Sequence, residues 1–297
     1  MSRNYKDTHR SVMVHEALDF LIINRKGKYV DCTVGEGGHL AFLANEIGSD
    51  SRLIGLDIDI EVLQIAKEKL EEFRGFVELF NVSYVDFDLV LDSLKIEQVD
   101  GFLLDLGVST FQLKARGRGF SYEKDETLDM RMDPGTEFTA KDVVNNYSEP
   151  ELSKVIFEYG QEKRFARRIA RSIIKRRPLY TTFDLVEAIK KALPPKFRYG
   201  RRHFATKTFQ AIRIEVNQEL KNIGKTLYKI PHYLKPGGRV VVISFHSLED
   251  GVVKRTFRDL QGGELNVLTK KPLTPSENEV EQNPRARSAK LRAAERI

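Results

Sequence analysis

Apolar runs at residues 28–34 (KYVDCTV), 52–58 (RLIGLDI), 76–80 (FVELF) and 99–106 (VDGFLLDL) alternate with stretches of helical period. The first run leads straight into a glycine-rich turn, Val34-Gly35-Glu36-Gly37-Gly38-His39. Between the second and third runs, Val62, Leu63, Ala66 and Leu70 mark one face of an amphipathic helix. Strands separated by helices cannot pair as hairpins, so the series predicts a parallel sheet covered on both faces. The rhythm stops near residue 114. From 114 to 215 no strand signal stands out, and helix-like stretches occur at 149–159, 162–175 and 183–192. It then resumes with a helix over 204–234, the turn Pro236-Gly237-Gly238, an apolar strand at 239–245 and a helix at 248–260. A weak strand at 265–269 and a last strand at 288–294 follow. The expected architecture is α/β: one sheet domain formed by 1–113 and 216–297, interrupted by an all-helical insert at 114–215.

Composition narrows the function classes. A single cysteine, Cys32, excludes an intrachain disulfide and a zinc cluster of several thiolates. The longest apolar run, 240–245, is far too short to span a bilayer, and residues 1–10 carry no apolar stretch behind a basic start. A cytoplasmic protein without a membrane partner is expected, and no metal-ligand cluster is legible. The net charge is +6, but residues 113–215 hold 23 Lys+Arg against 14 Asp+Glu, a net of +9, which leaves −3 for the rest. Positive charge concentrated in one segment points to a polyanionic partner.

Glycines after the first strand allow a tight turn and close approach of backbone to ligand at a helix N-terminus. Asp57 ends the second strand about twenty residues later, where a carboxylate accepts hydrogen bonds from ribose hydroxyls. The dinucleotide pattern G-x-G-x-x-G needs a third glycine where Leu40 stands, which disfavours a nicotinamide reductase. A Gly-x-Gly-Gly turn suits S-adenosylmethionine, which has no pyrophosphate. Asp59, just past the strand, reads as a helix cap. The fourth strand ends in Asp105-Leu106-Gly107-Val108-Ser109, and the carboxyl ends of parallel strands are where such sheets bind ligands. Asp105 is therefore a candidate for the reacting centre, and His246, just past the 239–245 strand, is a second. DNA amino-methyltransferases often carry Asp-Pro-Pro-Tyr at this point, with an aromatic to stack the base. That string is absent here, which leaves Phe120, Tyr122 and Phe245 as stacking candidates.

In the insert, Arg164, Arg168, Arg171 and Lys175 share a helical face opposite Phe165, Ala166, Ile169, Ala170 and Ile173. Such a stripe tracks phosphates with little sequence information. Residues 196–204 (KFRYGRRHF) interleave cations with aromatics, the mixture that stacks unpaired bases.

These strings, taken in order, resemble one family, the bacterial 16S ribosomal RNA cytosine-N4 methyltransferases (RsmH, also called MraW). They include His9-Arg10-Ser11-Val12-Met13 with Glu16, Gly35-Glu36-Gly37-Gly38-His39 and Asp105-Leu106-Gly107-Val108-Ser109. Further along come Arg118-Gly119-Phe120-Ser121, Leu128-Asp129-Met130-Arg131-Met132-Asp133 and Thr208-Phe209-Gln210-Ala211-Ile212-Arg213-Ile214 with Val216-Asn217. The last are Ile243-Ser244-Phe245-His246-Ser247-Leu248-Glu249-Asp250 and Asn283-Pro284-Arg285-Ala286-Arg287-Ser288. The resemblance implies a class I methyltransferase (Rossmann-like) fold with an inserted helical domain for RNA recognition. It implies N4 methylation of a cytidine in the decoding region, with 16S rRNA or the 30S subunit as partner. It also implies cofactor contacts at Gly37, Gly38, His39, Asp57, Tyr84, Asp105 and Gln112. Gly251 departs from the arginine expected there, and the stretch 159–165 is one residue longer than in some relatives, which bears on RNA contacts. The rival readings are a methyltransferase acting on protein or small molecules, which leaves the basic insert unexplained, and a non-catalytic RNA-binding or ribosome-assembly factor on a methyltransferase scaffold, which leaves Gly37, Gly38, Asp57 and Asp105 without purpose.

Overall fold

In a computed structural model, which describes residues 11–115, 117–200 and 203–297, the apolar runs become strands of one seven-stranded sheet. They are β1 Lys28–Asp31, β2 Arg52–Asp57, β3 Val77–Asn81, β4 Val99–Asp105, β5 Leu234–Ser244, β6 Leu265–Val267 and β7 Lys290–Arg296. Their order is β3-β2-β1-β4-β5-β7-β6. The first five run parallel, while β7 pairs antiparallel with β5 and β6 antiparallel with β7. The chain winds outward from β1 through β2 to β3, then returns to lay β4 on the other side of β1. The strand order therefore reverses between β1 and β4, the place where such sheets open a crevice at their carboxyl ends.

Alternation along the strands sends side chains to opposite faces, and both faces are buried. Tyr29, Leu53, Leu103, Val241, Ile243, Leu291 and Ala293 pack with Ala17, Leu18 and Leu21 of helix Val14–Leu21 and with Leu40, Leu43 and Ala44 of helix Gly38–Ile47. Their neighbours Val30, Ile54, Leu56, Phe102, Leu104, Val240 and Val242 pack on the other side with Phe87, Ile223, Leu227, Val253 and Phe257. Gly55 in β2 is required by this packing: a Cβ there would lie 2.5 Å from Val34 Cγ2 and 2.6 Å from Leu79 Cδ2.

The chain divides into two units, one of residues 1–109 with 220–297 and the other of residues 110–219. The second is helical, with Ala140–Asn146, Glu149–Glu158, Ala166–Lys175, Thr182–Ala192 and Thr206–Asn217 as its longer elements. Three of these open on a capping box, at Thr139, Ser148 and Thr181, which satisfies the N-terminal amides. Two sequence expectations are corrected. The single helix expected over 204–234 is two, Thr206–Asn217 and Glu219–Tyr233, because Gln218 between them adopts a left-handed φ of 50°. Pro236-Gly237-Gly238 lies inside β5 rather than ahead of it, accommodated by a register shift opposite Val99 and Gly101. No helix among the described residues is long and apolar enough to cross a membrane.

Candidate cofactor and active site

Three carboxyl groups stand at the carboxyl ends of adjacent strands: Asp31 on β1, Asp57 on β2 and Asp105 on β4. Backbone amides of the crevice donate to the first two, and Thr33 links the first strand end to the third. Asp31 Oδ1 accepts from Thr33 N at 3.0 Å, and Thr33 Oγ1 accepts from Asp105 N at 2.6 Å, which ties the β1 and β4 ends together. Asp57 Oδ2 accepts from Gly35 N at 2.8 Å and its Oδ1 from Asp59 N at 2.9 Å, so this carboxylate also shapes the glycine turn. Gly35 and Gly37 hold φ of 55° and 79°, where side-chain-bearing residues are strained. At Gly38 any Cβ would lie 1.9 Å from the Ser11 hydroxyl, so the segment entering helix Val14–Leu21 lies directly over the turn.

The electrostatics are those of a site short of positive charge. Burial pushes the Asp31 carboxyl up to about 7, against the Thr33 amide that favours its charge. Burial also raises Asp57 to about 6, against the amides of Asp59 and Gly35. For Asp105 burial again leads, with the like charge of Glu249 adding to it, and the carboxyl rises to about 8. Asp31 Oδ2 and Asp105 Oδ1 are buried and have no hydrogen-bond partner among the described residues. Buried acceptors with unspent capacity are costly, and a cationic ligand in the crevice would relieve both.

Gly37, Gly38, His39, Asp57 and Asp105 thus meet at one rim. His39 is buried; its Nε2 lies 2.9 Å from Val12 O and its Nδ1 3.5 Å from Asp105 Oδ2. Tyr84 opens the helical turn Tyr84–Asp86 just beyond Asn81, the register partner of Asp57, and its carbonyl accepts from Thr226 Oγ1 at 3.4 Å. Gln112 belongs to the other unit, on helix Thr110–Lys114. His246 caps helix Ser247–Leu260: its Nδ1 accepts from Glu249 N at 3.3 Å, and its Nε2 lies 3.1 Å from Glu249 Oε1. Asp59 caps helix Ile60–Lys69 as expected, accepting from Glu61 N. Asp31 escaped sequence reading. Its only signal is a carboxylate four residues ahead of Gly35 in an otherwise apolar strand.

Of the aromatic candidates, Phe245 is half-buried and its ring borders Gly107, two residues past Asp105. Phe120 is buried, and Tyr122 stacks on His203 with ring centroids 4.3 Å apart.

In the second unit, helix Ala166–Lys175 turns Ala166, Ile169, Ala170 and Ile173 inward. The basic stripe is not uniform. Arg167, Arg168, Arg171 and Lys175 are all exposed, but Arg171 pairs with Glu149 at 3.2 Å, as Arg167 does at 3.4 Å. Arg164 lies 4.7 Å over the Phe197 ring and 5.2 Å over Phe165, and Lys196 lies 5.3 Å from the same Phe197 ring. Tyr199 is 84% exposed. Arg201 and Arg202 of the 196–204 cluster, and His9 and Arg10 of the first motif, lie outside the described residues.

Known proteins resemble this chain over nearly its full length. The model of the MraW methylase family matches residues 6–297. A relative from Kosmotoga olearia named ribosomal RNA small subunit methyltransferase H is 63% identical, covering 100% of both chains. One of the same name from Thermosipho africanus is 57% identical over 99% of this chain and 100% of its own. Among solved structures, an rRNA methylase from Streptococcus thermophilus aligns with a TM-score of 0.48 at 12% identity, over 98% of this chain and 99% of that one. The residues present fit a methyl donor of this kind. Asp57 ends β2, a place from which a carboxylate can receive ribose hydroxyls, and the unspent oxygens of Asp31 and Asp105 suit positive charge. The chain belongs to the MraW methylase family, a family of methyltransferases, and S-adenosylmethionine is its cofactor.

Proposed function

We propose that this enzyme methylates the N4 amino group of a cytidine in the decoding region of 16S ribosomal RNA, with Asp105 at the reacting centre. The observation that carries the reading is the Asp105 carboxyl, whose Oδ1 is buried without a partner among the described residues at the end of β4, beside the point where strand order reverses. The relatives' name, ribosomal RNA small subunit methyltransferase, supports the substrate class.

Bound S-adenosylmethionine supplies an electrophilic methyl group on a sulfonium. A cytosine amino group is a weak nucleophile because its lone pair is delocalised into the ring. A carboxylate that accepts a hydrogen bond from that N–H strengthens the nucleophile and then takes the proton the methylated nitrogen must lose. Asp105 fills this role. Asp57 and the Gly35–Gly38 turn hold the nucleoside end of the cofactor, Gln112 and Tyr84 are further cofactor contacts, and Phe245 supplies a face for the target base. His246 caps its helix through Nδ1 alone, and with Nε2 facing Glu249 Oε1 at 3.1 Å it is the second candidate for moving a proton at this rim. A target base that is paired or stacked must be swung out to reach the donor.

The test is transfer of labelled methyl from S-adenosylmethionine to 30S subunits from a strain lacking the modification. Label recovered as N4-methylcytidine is the expected result. Label absent from 30S particles and from free RNA, despite measurable cofactor binding, would overturn the substrate assignment.

The basic helical unit is the proposed RNA handle. Replacing Arg168 and Lys175 together by Ala should weaken RNA binding nearly uniformly across sequences. It should also flatten the dependence of log affinity on log salt by about 0.7 to 0.9 per lost phosphate contact. Arg171→Ala, which removes a side chain already paired with Glu149, should flatten it less. Filter binding at several salt concentrations checks both, and equal slopes for all three proteins would remove this surface from the RNA path.

A further inference from the structure

We propose that His39 is a neutral hydrogen-bond acceptor that keeps a proton on the Asp105 carboxyl while the crevice is open, and that uptake of the cationic methyl donor expels this proton. The proposal rests on Asp105 lying at the reacting centre, as argued above.

The argument starts from the imidazole. Its Nε2 lies 2.9 Å from Val12 O, a carbonyl that only accepts, so Nε2 carries the hydrogen. Burial opposes a second proton on the ring and lowers the pKa of His39, with Asp31 opposing that trend. The neutral ring then presents the Nδ1 lone pair to Asp105 Oδ2, 3.5 Å away and at the outer limit of hydrogen-bond reach. A lone pair facing an ionised carboxylate is repulsive, whereas a carboxylic acid donates its O–H to that nitrogen. The surroundings favour the acid form. Asp31 faces the pair from β1, with Glu249 of helix Ser247–Leu260 acting on Asp105 and Glu279 of helix Glu277–Gln282 on His39. Against these carboxylates stands Lys69, whose charge disfavours a second proton on the His39 ring. The same burial that raises Asp105 to about 8 therefore has a defined partner for the proton it retains.

The proton balance follows. The donor carries a sulfonium charge that the demethylated product lacks. Seating the donor beside Asp105 favours the carboxylate, and one proton leaves to solvent. Transfer of the methyl group leaves a proton on the cytosine nitrogen and a neutral thioether. Asp105 then takes that proton and is again the neutral acid, matched to the uncharged sulfur of the departing product. The enzyme releases its proton when the donor arrives rather than when the methyl moves.

Two measurements test this. Nitrogen-15 spectra of histidine-labelled protein, with His39→Gln assigning the signal among six histidines, should show a neutral Nε2–H ring at pH 7 without cofactor. An imidazolium at that pH would overturn the proposal. Calorimetric titration in buffers of different ionisation enthalpy should count about one proton released per S-adenosylmethionine bound, and fewer for S-adenosylhomocysteine. Donor affinity should rise about tenfold per pH unit below about pH 8 and level off above it. Asp105→Asn should abolish the proton count while still binding donor. Gln at position 39 can donate and accept at the same two points, so His39→Gln should keep the count. A proton count unchanged in Asp105→Asn, or equal for donor and product, would place the proton elsewhere. Failure of the donor to bind at all would instead strike at the cofactor site.

Discussion

Asp105→Asn should lower methyl transfer to RNA by about 10²–10⁴-fold, the range expected when a proton acceptor is removed from a reacting centre. The substitution is nearly isosteric. The bond from Asp105 N to Thr33 Oγ1 involves the backbone and survives, so the β4 end should keep its place. An amide cannot take a proton from the methylated nitrogen, and its partial dipole polarises an amino donor less than a full charge does. The fold should not suffer. The wild-type carboxyl is raised above its ordinary value by burial and by Glu249, so in the open crevice its ionised form is unfavourable, and a neutral side chain removes that cost at pH 8. Single-turnover rates with 30S subunits, beside thermal melts, separate chemistry from folding. An Asn variant within tenfold of the wild-type rate, with donor still bound, would relegate Asp105 to a cofactor contact and leave the proton acceptor to be found elsewhere.

Much of this centre is legible in the sequence because strand ends are legible. An acid next to last in an apolar run stands at the rim of a parallel sheet, and Asp57 in 52–58 and Asp105 in 99–106 are both legible in this way. Asp59 was separated from Asp57 correctly because a residue one step past the strand meets free helix amides. Asp31 was missed for the converse reason. It lies within the run 28–34, where a charge reads as an interruption, and only the pairing of β1 with both β2 and β4 shows that its strand ends there. Side-chain engagements were beyond reach of the sequence. Nothing in the string Phe245-His246-Ser247 says that the imidazole accepts from Glu249 N, and nothing in the Arg164–Lys175 stripe says that Glu149 takes up Arg171. The break at Gln218 was hidden because neither glycine nor proline marks it, while Pro231 sits inside helix Glu219–Tyr233 without ending it. The antiparallel direction of β7 is likewise a matter of how the sheet closes its edge, not of local pattern.

Asp250→Ala should destabilise the sheet unit by about 3–5 kcal/mol, the usual consequence of leaving one member of a buried ion pair without its partner. Asp250 Oδ1 lies 2.7 Å from Arg292 Nε and Oδ2 3.1 Å from Lys290 Nζ, and the Arg292 side chain is only 7% exposed. The acid stands on helix Ser247–Leu260 and both bases on β7, so the pair pins the helix after β5 to the antiparallel strand beside it. Burial works against ionisation of Asp250, but the bonds from Arg292 and Lys290 outweigh it and hold the carboxyl below its ordinary value. The group therefore contributes stability above the ordinary carboxylate range and loses it only as pH falls through the depressed folded value. At neutral pH the deletion should be fully felt, as a drop in Tm of roughly 6–20 °C by the usual 2–4 °C per kcal/mol for a domain of this size. The penalty comes mainly from the stranded guanidinium rather than from the attraction lost. Asp250→Leu combined with Arg292→Met should accordingly melt well above Asp250→Ala. If the single variant melts within 3 °C of wild type at pH 7, Arg292 reaches water easily and this pair does not fasten β7 to the sheet.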